Sequence, residues 1–152
     1  MPTPIDTPRP IGQNETPMNI SLAVLADSAN VSQEGKLNIL GNFASINASK
    51  FPARHPQMQL VLRMEASPAE VGRKENMEVV MLDADGERIA SFNADFTVPA
   101  PTSPGHPVQI QTIISLRDTV FPRAGQYGIY VLINGNEEAM VPLTLTLTGE
   151  GA

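Results

Sequence analysis

Between Met18 and Thr148 apolar residues recur at every second position in segment after segment, and this period of two constrains the chain more than any other feature. Met18, Ile20, Leu22, Val24 and Ala26 alternate with Asn19, Ser21, Ala23, Leu25 and Asp27. Met58, Leu60, Leu62 and Met64 face one way, and Gln59, Val61, Arg63 and Glu65 the other. Leu143, Leu145 and Leu147 alternate with Thr144, Thr146 and Thr148. A pattern of this kind buries one face of a strand and wets the other, so the body must be a sheet protein. No segment carries the 3.6-residue period that a crossover helix would need, which leaves antiparallel sheets.

Punctuation divides the pattern into about eight strands: Met18–Asp27, Leu37–Ala48, Gln57–Ala66, Met77–Leu82, Ile89–Val98, Val108–Leu116, 128–133 and Ala139–Thr148. Asp85-Gly86 and Asn134-Gly135 are tight-hairpin signals, because Gly and Asn tolerate the positive φ that such turns require. Gly41, inside a strand pattern, predicts a bulge or a close backbone approach. Phe51-Pro52-Ala53-Arg54-His55-Pro56 and the four prolines of 99–107 are expected to be loops, since proline cannot donate to a ladder. The Pro122-x-x-Gly125-x-Tyr127 sequence before a strand is similar to the tyrosine corner of immunoglobulin-like sandwiches, whose phenol bonds to upstream backbone. The expected fold is therefore all-β: an antiparallel two-sheet sandwich, immunoglobulin-like or jelly-roll. Met18, Met58, Met64, Met77, Met81 and Met140 fall within strands and are expected to fill its core.

The first 17 residues are of another kind. They hold five of the chain's 14 prolines, at positions 2, 4, 8, 10 and 17, which favours extended or polyproline-like backbone and excludes helix. The expected organisation is an extended Pro-rich arm over 1–17, a sandwich over 18–148 and a short tail over 149–152. At about 3.1 Å per residue the arm could span about 50 Å, far enough to reach a neighbouring subunit.

Composition narrows the function. The formal charge of −6 repels phosphate backbones and anionic lipids, so neither nucleic acid nor membrane is the expected partner. There is no cysteine, which removes thiolate nucleophiles and Cys-based metal sites. His55 and His106 are the two histidines, each in a proline-flanked stretch and neither with a second histidine at ligand spacing, so no metal site is expected. No serine lies in a nucleophile-elbow pattern, and the glycines at 125, 128 and 135 form no phosphate loop. Asp83, Asp85 and Glu87 lack the remaining ligands of a calcium loop and read as a hairpin tip. No catalytic residue and no cofactor is expected. No apolar stretch marks the chain for export or for a membrane, so the expected location is the cytoplasm, or the virion if the chain is phage-encoded.

Gly35-Lys36-Leu37-Asn38-Ile39-Leu40-Gly41, the 51–56 segment, Leu60-Val61-Leu62-Arg63, Asp83–Gly86 and Val120-Phe121-Pro122-Arg123 with Gly125 and Tyr127 resemble an uncharacterised bacterial domain family over about residues 22–148. That resemblance implies a small β-sandwich of unassigned activity. The arm lies outside it, and an acidic sandwich with an extended arm is similar in architecture to phage capsid decoration, or cement, proteins. The expected function is accordingly non-enzymatic: docking on a larger protein assembly through the arm, with homo-oligomerisation, and most specifically capsid decoration. Its candidate contacts are Pro2, Pro4, Ile5, Pro8, Arg9, Pro10 and Ile11 of the arm, with Phe51, Arg54, His55 and Arg123, which form two similar Phe-Pro-plus-cation elements. The alternative is a cytosolic module that holds a small ligand or peptide between the 99–107 and 51–56 segments.

Overall fold

The computed structural model describes residues 18–101 and 103–148, and within them the chain forms nine strands and one short 3₁₀ turn. The strands are β1 (Asn19–Val31), β2 (Leu37–Phe43), β3 (Ser45–Ala48), β4 (Ala53–Ala66), β5 (Lys74–Leu82), β6 (Arg88–Thr97), β7 (Val108–Phe121), β8 (Gly125–Ile133) and β9 (Asn136–Leu147), with the 3₁₀ turn at Pro68–Glu70. They build two sheets, one of order β2-β1-β4-β7 and one of order β3-β9-β8-β5-β6. This is the expected two-sheet sandwich.

The alternation read from the sequence becomes the core, except in β1, where a register shift between Ile20 and Leu22 brings Ala23 and Leu25 to the core in place of Leu22 and Val24. Met58, Leu60, Leu62 and Met64 on β4 face Met77, Val79 and Met81 on β5, Ile129, Val131 and Ile133 on β8, and Leu143 and Leu145 on β9, all of them buried. Met18 joins them, whereas Met140 lies on the outer face of β9 and is 47% exposed, against the expectation that it would pack. Both expected hairpins are present. Gly86 N–H closes its turn on Asp83 O at 3.0 Å, and Asn134 and Gly135 both take positive φ. Asp83, buried, accepts the N–H groups of Asp85 and Glu87 on Oδ1 at 2.9 and 2.8 Å, so the acidic cluster is the inner scaffold of that tip.

Several strands run three or four residues beyond the sequence reading, among them β1, which ends at Val31, and three boundaries differ in kind or by more. Leu37–Ala48 is two strands: the chain leaves one sheet after Phe43 and joins the other at Ser45, where β3 runs parallel to β9 from Ser45↔Thr144 to Ala48↔Leu147. The inward positions change phase there, from Leu37 and Phe43 to Ile46 and Ala48, a break that a reading of 37–48 as one strand passes over. Ala53–Pro56 belongs to β4, because Pro56 meets an irregularity in β7: His55 pairs with Thr119 and Gln57 with Arg117, while Asp118 between them has φ 52°. A proline costs no ladder bond where none is made. β7 consequently runs on to Phe121, five residues beyond its expected end.

Gly41 meets the second of its two expectations, a close approach to its backbone, while the β1–β2 register runs past it without a shift. Its φ is +75°, and a Cβ there would stand 2.5 Å from Asp27 Oδ2. Gly41→Ala should therefore lower stability by about 1–3 kcal/mol, combining the left-handed conformation with displacement of the Asp27 side chain. Thermal unfolding of the variant beside the parent checks this, and an unchanged midpoint would refute it.

The open seam as candidate functional site

The two flanks of the sandwich are built differently. On one, the passage from β2 to β3 stitches the sheets together, and Thr144 N–H donates to Ala44 O at 3.0 Å. On the other, β6 and β7 are each the last strand of a different sheet, joined by the proline-bearing 98–107 connection, and neither has a strand on its outer side among the described residues. Pro99, Pro101, Pro104 and Pro107 deprive that connection of the donors a covering strand would need. The result is an open seam.

Between these edges lies a groove of about 490 Å³ lined mainly by apolar side chains, among them Met64, Met77, Phe92, Phe96, Ile110 and Ile114, with the hydroxyls of Thr97, Thr112 and Ser115. No charged residue lines it. Phe92 is 40% exposed at its mouth. Free edges of long strands are hazards that proteins ordinarily blunt with charges, prolines or bulges. β7 carries such guards only at its far end, with Arg117 and Asp118; the stretch from Val108 to Leu116 has none.

The hydrogen-bond register of β6 is fixed by its neighbours. Asp83 N–H donates to Glu87 O at 2.9 Å and Asn134 N–H to Asn76 O at 2.8 Å, so odd-numbered β5 residues turn their backbone groups toward β6 and even-numbered ones toward β8. Val79 faces Phe92 and Met77 faces Ala94 across that ladder. Phe92, Ala94 and Phe96 thus bond inward to β5, while Ser91, Asn93 and Asp95 direct N–H and C=O groups at the free edge.

Of the candidate contacts read from the sequence, those among the described residues fall elsewhere. Pro2, Pro4, Ile5, Pro8, Arg9, Pro10 and Ile11 lie outside the described residues. Phe51, Arg54, His55 and Arg123 lie at one end of the sandwich, where β4 begins beside the end of β7 and Ala53 pairs with Phe121, but each has different partners. There Arg123 donates from Nη2 to Asp83 Oδ2 at 2.8 Å and approaches Asp85 Oδ2 at 3.3 Å. Arg54 approaches Asp118 at 3.6 Å on the exposed surface. His55 packs on Phe43 with ring centroids 6.1 Å apart and borders a shallow concavity of about 390 Å³ with Asp27, Ser45 and Asn47. His106 borders a separate polar depression beside Glu34 and Glu65. Among the described residues no three His, Asp or Glu side chains converge as a metal site would require, and no helix is long and apolar enough to cross a membrane.

The seam residues were not singled out in the sequence. Phe92 and Phe96 show an inward face, but whether a strand is central or terminal depends on its partners and not on its own alternation. The one available signal was the density of proline between β6 and β7, which denies the two strands a hairpin.

Comparison with known proteins adds the family. Among solved structures the chain is similar to the Pseudomonas fluorescens alkylpurine DNA glycosylase AlkC bound to DNA containing an abasic site analog, at 17% identity and a TM-score of 0.49 over 85% of this chain and 30% of that one. It is also similar to a beta-glucuronidase from glycoside hydrolase family 2, at 12% identity and a TM-score of 0.37 over 64% of this chain and 10% of that one. The chain thus spans less than a third of either protein. No curated protein matches it. A family model does match, over residues 21–146, and the chain belongs to that family, the family of unknown function DUF6941.

Proposed function

We propose that this chain is a non-enzymatic docking protein of a larger protein assembly, and that its contact with a partner is made by strand addition along the open seam. The observation that carries this reading is the groove itself: apolar, uncharged, and bordered by two strands whose outer backbone groups have no partner strand among the described residues. An extended polypeptide laid there would gain main-chain hydrogen bonds from an edge and bury alternate side chains in the groove. Such contacts are individually modest and sum when many copies sit on one lattice. A virion decoration protein is the sharpest form of the proposal, with homo-oligomers formed through the same edges; a chain that is not phage-encoded would act in the cytoplasm. A second reading takes the same groove as the site of a small apolar ligand or peptide, favoured by a volume within the range of small-molecule pockets.

In cells that naturally carry the chain, the full-length protein should sediment with a particle far heavier than its own 16.3 kDa. Phe92→Asp places a charge at the groove mouth, where exposure makes the fold tolerant of it, and should move about ten times more of the protein into the light fraction. Parent protein found wholly in the light fraction would refute the proposal.

A further inference from the structure

The turn between β8 and β9 carries a reactive pair. Asn134 is the one asparagine of the chain that a glycine follows. Having no Cβ, Gly135 leaves its backbone nitrogen open to approach, and that nitrogen is tethered one residue from the Asn134 carboxamide, so the pair is disposed to intramolecular attack. The attack forms a bond from Gly135 N to Asn134 Cγ and breaks the Cγ–Nδ2 bond, and the amide proton leaves with Nδ2 as ammonia. Water then opens the five-membered imide at either carbonyl, which gives aspartate or isoaspartate at position 134. Water is the only reagent consumed.

In the folded chain the carboxamide is already engaged. β8 ends at Ile133, yet its ladder with β5 goes one step further. Asn134 N–H donates to Asn76 O at 2.8 Å, and Asn134 Oδ1, in the place of a backbone carbonyl, accepts Asn76 N–H at 2.9 Å. Asn134 Nδ2 donates to Glu75 Oε1, and Glu75 is buried at the start of β5. One side chain thus adds a rung to the sheet and supplies a donor to a buried carboxylate. To be attacked, it must let go of both.

We propose that Asn134 is a latent deamidation site: its contacts with β5 hold off the reaction while the hairpin tip is closed, and each opening of the tip exposes it to a change that the fold cannot reverse. The product has lost Nδ2. In either form a carboxylate replaces the amide that donated to Glu75, and Glu70, Glu75 and Glu138 already line the depression of about 140 Å³ at this place, beside the Arg73 guanidinium. A further negative charge among three carboxylates, two of them buried, opposes reclosure. Isoaspartate also lengthens the main chain by one carbon within a two-residue turn, where Ile133 and Asn136 are paired.

The loss is passed on from the tip. Asn76, the residue that Asn134 holds, donates from Nδ2 to Asn93 Oδ1 and to Asp95 Oδ1, both at 2.9 Å, and these two residues lie on β6 at the free edge of the seam. Glu75 is paired with Phe96 and Met77 with Ala94, and Met77, Ala94 and Phe96 line the groove. The first residues of β5 therefore connect one amide at the hairpin tip to the strand that borders the groove. Because the change runs one way, molecules in which this end has opened accumulate with a loosened seam.

The test follows the full chain by peptide mass spectrometry, which reads the amide-to-acid mass gain at position 134, during incubation in mildly alkaline buffer. Asn134 should deamidate at least about tenfold more slowly in the native protein than in the same protein unfolded in urea. Glu75→Ala, which removes the acceptor, should raise the native rate about tenfold, whereas Glu75→Gln, which keeps an acceptor oxygen, should stay near the parent. Tyr127→Phe, a loss of stability at the opposite end of β8, should leave the native rate unchanged. Asn134→Asp sets one product in place directly, and should speed amide exchange of Ala94 and Phe96 about tenfold while Ala90, further from the tip, keeps the parent rate. Equal rates in the folded and unfolded protein, a native rate that Glu75→Ala does not change, an equal rise in Tyr127→Phe, or parent-like exchange of Ala94 and Phe96 in Asn134→Asp would each overturn the proposal. None of these measurements involves a partner, so the docking function stands or falls apart from them.

Discussion

Phe121→Ala should cost about 3–5 kcal/mol of folding stability, the largest effect expected of a single side chain in this protein. Phe121 is fully buried at the end of β7 and meets the Tyr127 ring edge to face, with centroids 5.1 Å apart and planes at 80°. Tyr127 in turn fixes the corner between β7 and β8: its hydroxyl donates to Arg123 O at 2.6 Å and accepts from Arg123 N–H at 3.3 Å. The Arg123 guanidinium then reaches Asp83 at the tip of the β5–β6 hairpin. Removing the Phe121 ring thus opens a cavity beneath a junction that ties the β7–β8 passage between sheets to the β5–β6 hairpin. Tyr127→Phe keeps the ring and loses only the hydroxyl, so its expected cost is about 1–2 kcal/mol. Urea unfolding should show both midpoints lowered, in that order, with slopes unchanged. A loss below about 1 kcal/mol for Phe121→Ala would mean that the corner can collapse around the missing ring, contrary to this account.

This junction also shows which parts of the structure could be read in advance. The Pro122, Gly125 and Tyr127 spacing predicted a phenol bonded to upstream backbone, and Tyr127 is bonded to Arg123. Positive φ at Asn134, Gly135 and Gly86 followed equally from residue type, because these are local conformational demands that few side chains meet. The role of Arg123 did not follow. Its partner Asp83 lies 40 positions away, and nothing local distinguishes an arginine that will bind a hairpin tip from one that will face a neighbour. The sheet that the chain joins after Ala44 and the openness of the seam are likewise properties of strand order, which a period of two does not encode. His55 is a further instance: two flanking prolines predicted a loop, but the irregularity at Asp118 that admits Pro56 to the ladder belongs to a strand more than 60 residues later.

The second large effect is expected at a carboxylate the alternation could not reveal. Ser67-Pro68 reads as a break between strands, yet the turn it opens buries Glu70 to 3% exposure. Glu70 Oε1 accepts the Ser67 N–H at 2.9 Å, and Oε2 accepts the Met18 N–H at 3.0 Å from a residue 52 positions earlier. One side chain therefore closes the 3₁₀ turn and anchors the first residue of the sandwich, with Met18 itself buried at 2%. Glu70→Ala leaves both amides without their acceptor and should lower stability by about 2–3 kcal/mol, since hydrogen bonds to an ionised acceptor are among the stronger ones. Glu70→Gln retains one acceptor oxygen but sets an amide group against one of the two donors, and should lose about 1–2 kcal/mol. Unfolding midpoints give the magnitudes, and amide exchange at Met18 and Asn19 gives the location. If exchange there stays at the parent rate in Glu70→Ala, the anchor is not this carboxylate.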